Sequence, residues 1–160
     1  MLKIKNYLST KYLQKLYFAF ILPQIEYCNI SYFFHNIKLL KKIIHLNEKI
    51  LVIINLNFKQ FSVKYRLFIK CCKFLYKIHN IHNLDHFNQF LTSNSSTRKR
   101  YNLTYIYSPK LKLSYLYWGS NLSNFLFNNH IFFEIPFSEF RRKCHELYMR
   151  QHFDILSIIR

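Results

Sequence analysis

Glycine is almost absent from this chain, because Gly119 is the single one among 160 residues. Glycine adopts left-handed backbone conformations without steric cost, so it normally supplies tight turns and phosphate-binding loops. A chain with one glycine cannot form a glycine-rich phosphate loop or a fold built on repeated glycine turns. Hydrophobic residues make up 51% of the sequence and aromatic residues 19%, which is enough apolar surface for a packed core. We therefore expect a folded chain of about one domain.

The charge balance is strongly basic, with 24 Lys and Arg against 7 Asp and Glu and a net charge of +17. Such a charge favours polyanionic partners, with nucleic acid first and an acidic membrane surface second. Ile, Asn, Lys, Phe and Tyr share AT-rich codons and are abundant, so codon bias accounts for part of the lysine content. No two acidic residues are close in sequence, so a pair of carboxylates for catalytic metals has to come from distant segments.

Cysteine usage and hydropathy indicate the compartment. Cys71 and Cys72 are adjacent, which does not suit a disulfide framework, and no secretory signal is recognisable at the start of the chain. Residues 113–133 have the length of a membrane span but are too rich in Asn to be one. We expect an intracellular protein of the cytoplasm or nucleus, without a membrane span.

Apolar residues recur at helical spacing through the first ninety residues. The pattern predicts helices over residues 7–22, 38–54 and 62–80. Pro23 is expected to stop or kink the first helix, and Ser62 is expected to cap the third.

The composition changes after residue 91. A polar stretch followed by Arg98-Lys99-Arg100 predicts a linker over residues 92–100. A loose alternation predicts an extended segment or short hairpin over residues 103–118, and Ser138 is the predicted cap of a C-terminal helix. The predicted architecture is mostly α: a small helical bundle over residues 1–91, the linker, and a C-terminal extension over 101–160.

Cations on the helix predicted over residues 62–80 form one narrow stripe, at positions i, i+4, i+7 and i+11. They are Arg66, Lys70, Lys73 and Lys77. Such a stripe is suited to neutralise successive phosphates of a duplex, although the solvated face of an ordinary amphipathic helix has the same pattern. The absence of acidic residues between positions 60 and 84 favours nucleic acid.

Two further basic clusters extend the predicted nucleic-acid-binding set. They are Arg98, Lys99 and Arg100, and Arg141, Arg142 and Lys143.

Metal binding and nucleophilic catalysis are the competing site chemistries. His79, His82 and His86 follow the cysteine pair, but adjacent cysteines lack the two- to four-residue spacing of a zinc site. Cys144 lies on an apolar stripe, which is typical of a small core residue rather than a nucleophile. We therefore expect neither a metal nor another cofactor.

Several segments, in chain order, resemble the thumb and post-thumb region of reverse transcriptases from non-LTR (LINE, jockey-like) retrotransposons. The segments are Leu16-Tyr17, Phe20-Ile21-Leu22-Pro23, Tyr27-Cys28-Asn29, Leu46-Asn47-Glu48-Lys49-Ile50-Leu51-Val52-Ile53-Ile54, Phe74-Leu75-Tyr76-Lys77-Ile78-His79-Asn80, His86-Phe87-Asn88-Gln89-Phe90, Thr92-Ser93-Asn94-Ser95-Ser96 with Arg98 and Tyr101-Asn102-Leu103 after it, Tyr117-Trp118-Gly119-Ser120-Asn121-Leu122 and Phe140-Arg141-Arg142-Lys143. The series covers nearly the whole chain, but Tyr32-Phe33 stand where the family has Trp-Gly, Ser123 for its Trp and Phe127 for its Pro.

The resemblance implies a thumb-like helical domain that grips a template–primer duplex, RNA–DNA or other, by its backbone. It also implies that the catalytic palm with its paired aspartates lies upstream, so this polypeptide is not expected to polymerise or to act as an enzyme on its own. The alternatives are a small basic organellar ribosomal or ribonucleoprotein component from an AT-rich genome, and a non-functional pseudogene product.

Overall fold

A computed structural model describes residues 7–27, 36–57, 61–80, 91–93, 103–105, 115–151 and 155 of the chain. The described residues are mostly helical, as predicted from the hydrophobic periodicity. Their contacts group the chain into two compact units, Met1–Leu67 and Phe68–Arg160, here called unit 1 and unit 2. The predicted domain boundary at residue 91 does not coincide with this division.

The first helical segment continues past Pro23, where the sequence predicted a stop or a kink. Helix α1 (Thr10–Leu16) is followed by a π-helical turn (Tyr17–Ile21) and by α2 (Leu22–Glu26). Proline inside an α-helix removes a hydrogen bond and clashes with the carbonyl four residues earlier. Pro23 instead lies in the first turn of α2, directly after the wider π turn, so the chain stays helical to Glu26.

Helix α3 (Ile37–Ile53) confirms the second predicted helix. The side chain of Asn36 accepts a hydrogen bond from the Leu39 amide at 3.0 Å and caps its first turn. The apolar face of α3 is buried in unit 1, and the aromatic π turn packs with it through a shared core. That core consists of Leu13, Tyr17, Leu22, Leu51 and Ile54.

Helix α4 (Val63–Asn80) confirms the third predicted helix and its cap. The Ser62 hydroxyl accepts a hydrogen bond from the Tyr65 amide at 3.1 Å, which satisfies one of the first unpaired amides of the helix. The division between the two units falls within α4, between Leu67 and Phe68.

The segment after residue 91 agrees with the prediction only in part, and residues 103–105 are extended as expected. Strands β1 (Leu91–Ser93) and β2 (Leu103–Tyr105) pair antiparallel, with Thr92 opposite Thr104, so the first residues of the predicted linker belong to a strand. Residues 94–100, which include Arg98, Lys99 and Arg100, lie outside the described part of the chain.

Helix α5 (Tyr115–Asn128) was not predicted, and the expectation of extended chain as far as residue 118 was wrong there. Its sequence contains Gly119, two serines and three asparagines, all poor helix formers. Burial explains why the helix forms, because Trp118, Leu122 and Leu126 recur every four residues and are at most 3% exposed.

Helix α6 (Phe137–Gln151) begins with Pro136 at its cap position, so Ser138 lies inside the helix and is not the predicted cap. The Pro136 carbonyl accepts a hydrogen bond from the Phe140 amide at 2.9 Å. The predicted apolar stripe of this helix is buried, as expected, and it consists of Phe140, Cys144, Leu147 and Tyr148.

Helices α3 and α5 both end in a left-handed residue without using glycine. Asn55 has φ 51° and His130 has φ 58°. The amide of the following residue bonds back to a helix carbonyl, Leu56 to Leu51 at 3.1 Å and Ile131 to Leu126 at 3.0 Å. Asparagine and histidine therefore supply the turns that glycine usually supplies, while the single glycine, Gly119, lies inside α5.

Candidate nucleic-acid interface

The polar face of α4 carries three lysines along unit 2. Lys73 and Lys77 are exposed and Lys70 is half-buried, while Cys71, Cys72 and other apolar residues of the helix face the core. Seven residues separate Lys70 from Lys77, which at about 1.5 Å per residue is roughly 10 Å along the helix axis. Successive phosphates of one strand are about 3.4 Å apart along a duplex axis, so this row spans about three of them.

Arg66 is the first residue of the predicted stripe, and its charge is compensated. Its guanidinium donates a hydrogen bond to the carboxylate of Glu26, and it lies over the Phe61 ring with 5.7 Å to the ring centre. All three residues belong to unit 1. A guanidinium that shares a carboxylate has less net charge to offer a phosphate than an unpaired cation.

In the C-terminal basic cluster, Arg142 and Lys143 form ion pairs, and Arg141 lines a pocket. Arg142 is bonded to Glu146 at 2.8 Å and Lys143 to Glu139 at 3.1 Å, both one helical turn apart on α6. Arg141 is exposed, and it lies beside Lys70 and Lys73 across a pocket. We call Lys70, Lys73, Lys77 and Arg141 the α4–α6 basic surface.

The pocket between α4 and α6 has a volume of about 190 Å³. Its cationic residues are Lys70, Lys73 and Arg141. Its other lining residues are uncharged: Ile69, Cys72, Phe137, Phe140 and Cys144. The Lys73 ammonium lies over the Phe137 ring, 5.9 Å from its centre.

The Cys72 thiol and the His79 imidazole, both near the basic surface, have shifted pKa values. Burial raises the pKa of the Cys72 thiol, with a further contribution from its hydrogen bond with Cys144, so Cys72 is an uncharged thiol at neutral pH. His79 stacks on Phe133 with 4.1 Å between the ring centres. Burial lowers the pKa of His79, and the opposing effect of Glu134 is smaller, so the imidazole adds no charge at neutral pH.

The last turn of α4 is held by the segment between α5 and α6. The Tyr76 hydroxyl donates a hydrogen bond to the Ile135 carbonyl at 2.9 Å, and the Asn80 amide donates to the Phe133 carbonyl at 3.2 Å. Tyr76 also contacts the Phe137 ring, with 5.2 Å between centres. These bonds fix the start of α6, and with it Phe137 and Arg141, relative to the lysines of α4.

The described residues were also compared with the requirements of a metal site and of a cysteine nucleophile. Within the described ranges, no three His, Cys, Asp or Glu side chains converge as metal ligands do. Cys71, Cys72 and Cys144 are free thiols in the core, as predicted for Cys144. His82, His86 and Cys28 lie outside the described residues.

A second basic row, in unit 1, was not assigned a binding role from the sequence. Every one of its members is exposed on α3, and they are Lys38, Lys41, Lys42, His45 and Lys49. Positions 38, 42, 45 and 49 repeat the spacing of the α4 stripe, so the same periodicity was sufficient to find them. Phe137, by contrast, follows no periodic pattern, and its place in the pocket depends on the packing of α4 with α6.

None of the helices that the structure describes is both long and apolar enough to cross a membrane. Comparison with protein-family models, with curated proteins and with solved structures finds no match to this chain.

Proposed function

We propose that this protein binds nucleic-acid duplexes through their phosphate backbone, using the α4–α6 basic surface. The observation that carries the proposal is the convergence of two basic clusters, since Arg141 of α6 lies with Lys70 and Lys73 of α4 around one pocket. The clusters are about seventy residues apart in sequence, so an ordinary solvated helix face does not require them to meet. Contacts to phosphate carry no base information, so we expect binding that tolerates any sequence.

The acidic residues of the neighbourhood support this assignment. In the part of unit 2 that the structure describes, the acids are Glu134, Glu139 and Glu146. Two of them are bonded to Arg142 and Lys143, so they compensate the cations outside the pocket. Among the described residues that line the pocket there are three cations and no acid, which favours a polyanion.

The ordered resemblance to non-LTR retrotransposon reverse transcriptases supports a more specific origin. The protein is then a thumb and post-thumb fragment whose role is to hold a template–primer duplex, and RNA–DNA is its expected ligand. Such a fragment has no polymerase activity by itself, since no two of its seven acidic residues are adjacent to form the catalytic aspartate pair.

The test is a titration of a fluorescent RNA–DNA duplex by anisotropy at several salt concentrations. In the test variant Lys73, Lys77 and Arg141 are each changed to Glu. In the control variant the same change is made at Lys38, Lys42 and Lys49 of α3. Each variant lowers the net charge by six, from +17 to +11, and all six residues are exposed.

We expect the two variants to differ in the salt dependence of their duplex affinity. The slope of log affinity against log salt is negative, and its magnitude decreases by about 0.9 for each lost phosphate contact. We therefore expect the magnitude of the slope to be about three units smaller for the test variant than for the unsubstituted chain. The control variant should lose less than one. Equal losses in both variants would mean that binding depends on the total charge of the protein. Unchanged binding in the test variant would exclude the α4–α6 basic surface as the duplex-binding site.

A further inference from the structure

The pocket between α4 and α6 has both cationic and apolar lining residues. The binding of a duplex backbone requires only the cations. Cations lie on one part of its lining, Lys70, Lys73 and Arg141. The remainder is apolar and uncharged, and it includes the ring of Phe137, which is 36% exposed. Phosphate alone explains the cations but not the exposed aromatic ring and the apolar lining beside them.

The uncharged part of the lining suits a flat, weakly polar ring. Cys72 and Cys144, which line the pocket, are each only 1% exposed, so neither offers a polar group that needs a partner. Aromatic side chains stack on bases of any identity because every base has a π face. A ligand that matches the whole pocket therefore carries an anionic group and an aromatic ring a few bonds apart.

The size of the pocket limits the ligand further. Its volume of about 190 Å³ is below the roughly 300–1,000 Å³ of pockets that enclose a whole drug-sized molecule. The space therefore accommodates one ring system with its phosphate at the rim, and not a stack of bases.

We propose that this pocket receives a single unpaired nucleotide, with its phosphate at Lys70, Lys73 and Arg141 and its base against Phe137, where the base displaces the Lys73 ammonium from the ring face. This inference rests on the proposed binding of nucleic acid and adds a subsite to it. The nucleotide is either free or the unpaired end of a bound strand, and both share the same chemistry.

The experiment compares adenosine monophosphate with ribose 5-phosphate, which has the same phosphate and sugar but no base. Binding of each is measured by isothermal titration calorimetry at low salt. We expect adenosine monophosphate to bind about tenfold more tightly, the order of magnitude that stacking of one base contributes.

Two variants locate the base. Phe137→Leu keeps an apolar side chain and removes the π face, so it should abolish the preference for adenosine monophosphate. Phe132→Leu is the matched control, because Phe132 is 37% exposed in the same unit and is not among the residues that line the pocket. This control should keep the preference.

The source of the nucleotide is tested with duplexes that are blunt, carry a one-nucleotide overhang, or carry an abasic overhang. If a strand end is the occupant, the overhang tightens binding and the abasic overhang does not. If only the free nucleotide shows the preference, a free nucleotide is the occupant and the subsite stands.

The inference fails independently of the proposed function. Equal affinity for adenosine monophosphate and ribose 5-phosphate overturns the subsite, and so does a preference that survives Phe137→Leu. If duplex binding still depends on Lys73, Lys77 and Arg141 in that case, the proposed function stands without the subsite.

Discussion

The guanidinium of Arg66 donates a hydrogen bond to the carboxylate of Glu26, forty positions earlier in the chain. Because this carboxylate compensates its charge, Arg66 should contribute less to phosphate binding than the exposed Lys73 of the same helix. We expect Arg66→Gln to leave duplex affinity within about twofold. Lys73→Gln should lower the salt slope by about 0.9 in titrations between about 50 and 200 mM salt. Equal losses in the two variants would show that Arg66 reaches phosphate despite Glu26.

The ion pair should instead matter for stability. Both side chains are less than one-third exposed, at 22% for Arg66 and 28% for Glu26. Glu26→Ala removes the acceptor and leaves the Arg66 charge half-buried without its carboxylate, and a lost hydrogen bond to a charged group costs about 1.5–3 kcal/mol. Urea denaturation followed by circular dichroism should show a destabilisation in that range. A free energy of unfolding equal to that of the unsubstituted chain would mean that the pair contributes nothing.

Arg141 and Arg142 are adjacent in sequence but differ in their surroundings, which gives a matched pair of variants. Arg142 is bonded to Glu146 at 2.8 Å, whereas Arg141 lines the pocket with Lys70 and Lys73. We expect Arg141→Gln to weaken duplex binding and to lower the salt slope by about 0.9, and Arg142→Gln to change affinity by less than about twofold. Both are read from the same anisotropy titration. A larger effect for Arg142 would place the binding surface on another face of α6.

Helical periodicity was sufficient to predict α3, α4 and the buried face of α6, because each has an apolar stripe at 3.6-residue spacing. The Ser62 cap was also predictable, since its hydrogen bond is local. Helix α5 was missed because its glycine, serine and asparagine content is unfavourable for a helix and its stability comes from burial of Trp118, Leu122 and Leu126.

The candidate site was predictable only in part. The spacing of Lys70, Lys73 and Lys77 placed them on one face, which the helix confirms. Which cations are compensated depends on distant partners, and the bond between Arg66 and Glu26 follows no spacing rule. The pocket likewise depends on how α4 packs with α6, which no local pattern contains.

The hydroxyl of Tyr17 donates a hydrogen bond of 2.9 Å to the side-chain oxygen of Asn47, and both residues are at most 1% exposed. The Asn47 amide in turn donates to the Phe61 carbonyl at 3.2 Å. Tyr17→Phe keeps the ring but leaves the Asn47 oxygen buried without its donor, which should cost about 1–3 kcal/mol of unfolding free energy.

The measurement is urea denaturation by circular dichroism, with Tyr12→Phe as the control, because Tyr12 is 59% exposed. The double variant Tyr17→Phe with Asn47→Leu should lose less than the sum of the two single changes, since the bonded pair is then removed together. Additive losses would contradict a direct coupling between Tyr17 and Asn47.

His130 ends α5 in the left-handed region with φ 58°, a conformation that costs a residue with a Cβ atom about 1–2 kcal/mol. His130→Gly removes this cost but also makes the unfolded chain more flexible, which offsets part of the gain. We expect a net stabilisation of about 0.5–1 kcal/mol. His145→Gly, in the middle of α6, is the contrasting variant and should destabilise by about 1 kcal/mol or more, since glycine is unfavourable inside a helix. A destabilisation by His130→Gly would mean that the histidine side chain makes contacts worth more than the strain.

The buried thiols of Cys71 and Cys72 predict a loss of stability at alkaline pH. Burial raises the pKa of each thiol, so both stay protonated in the folded chain at a pH where they ionise in the unfolded chain. The unfolded state then binds fewer protons, and the free energy of unfolding falls as the pH rises above about 8.5, by up to about 1.4 kcal/mol per pH unit for each thiol. Urea denaturation at about pH 7.5 and about pH 9.5, read from the fluorescence of the single tryptophan, Trp118, reports on unit 2. Cys71→Ala removes one titrating group and should lessen this alkaline loss, and an equal loss in Cys71→Ala and the unsubstituted chain would show that the Cys71 thiol is not its source.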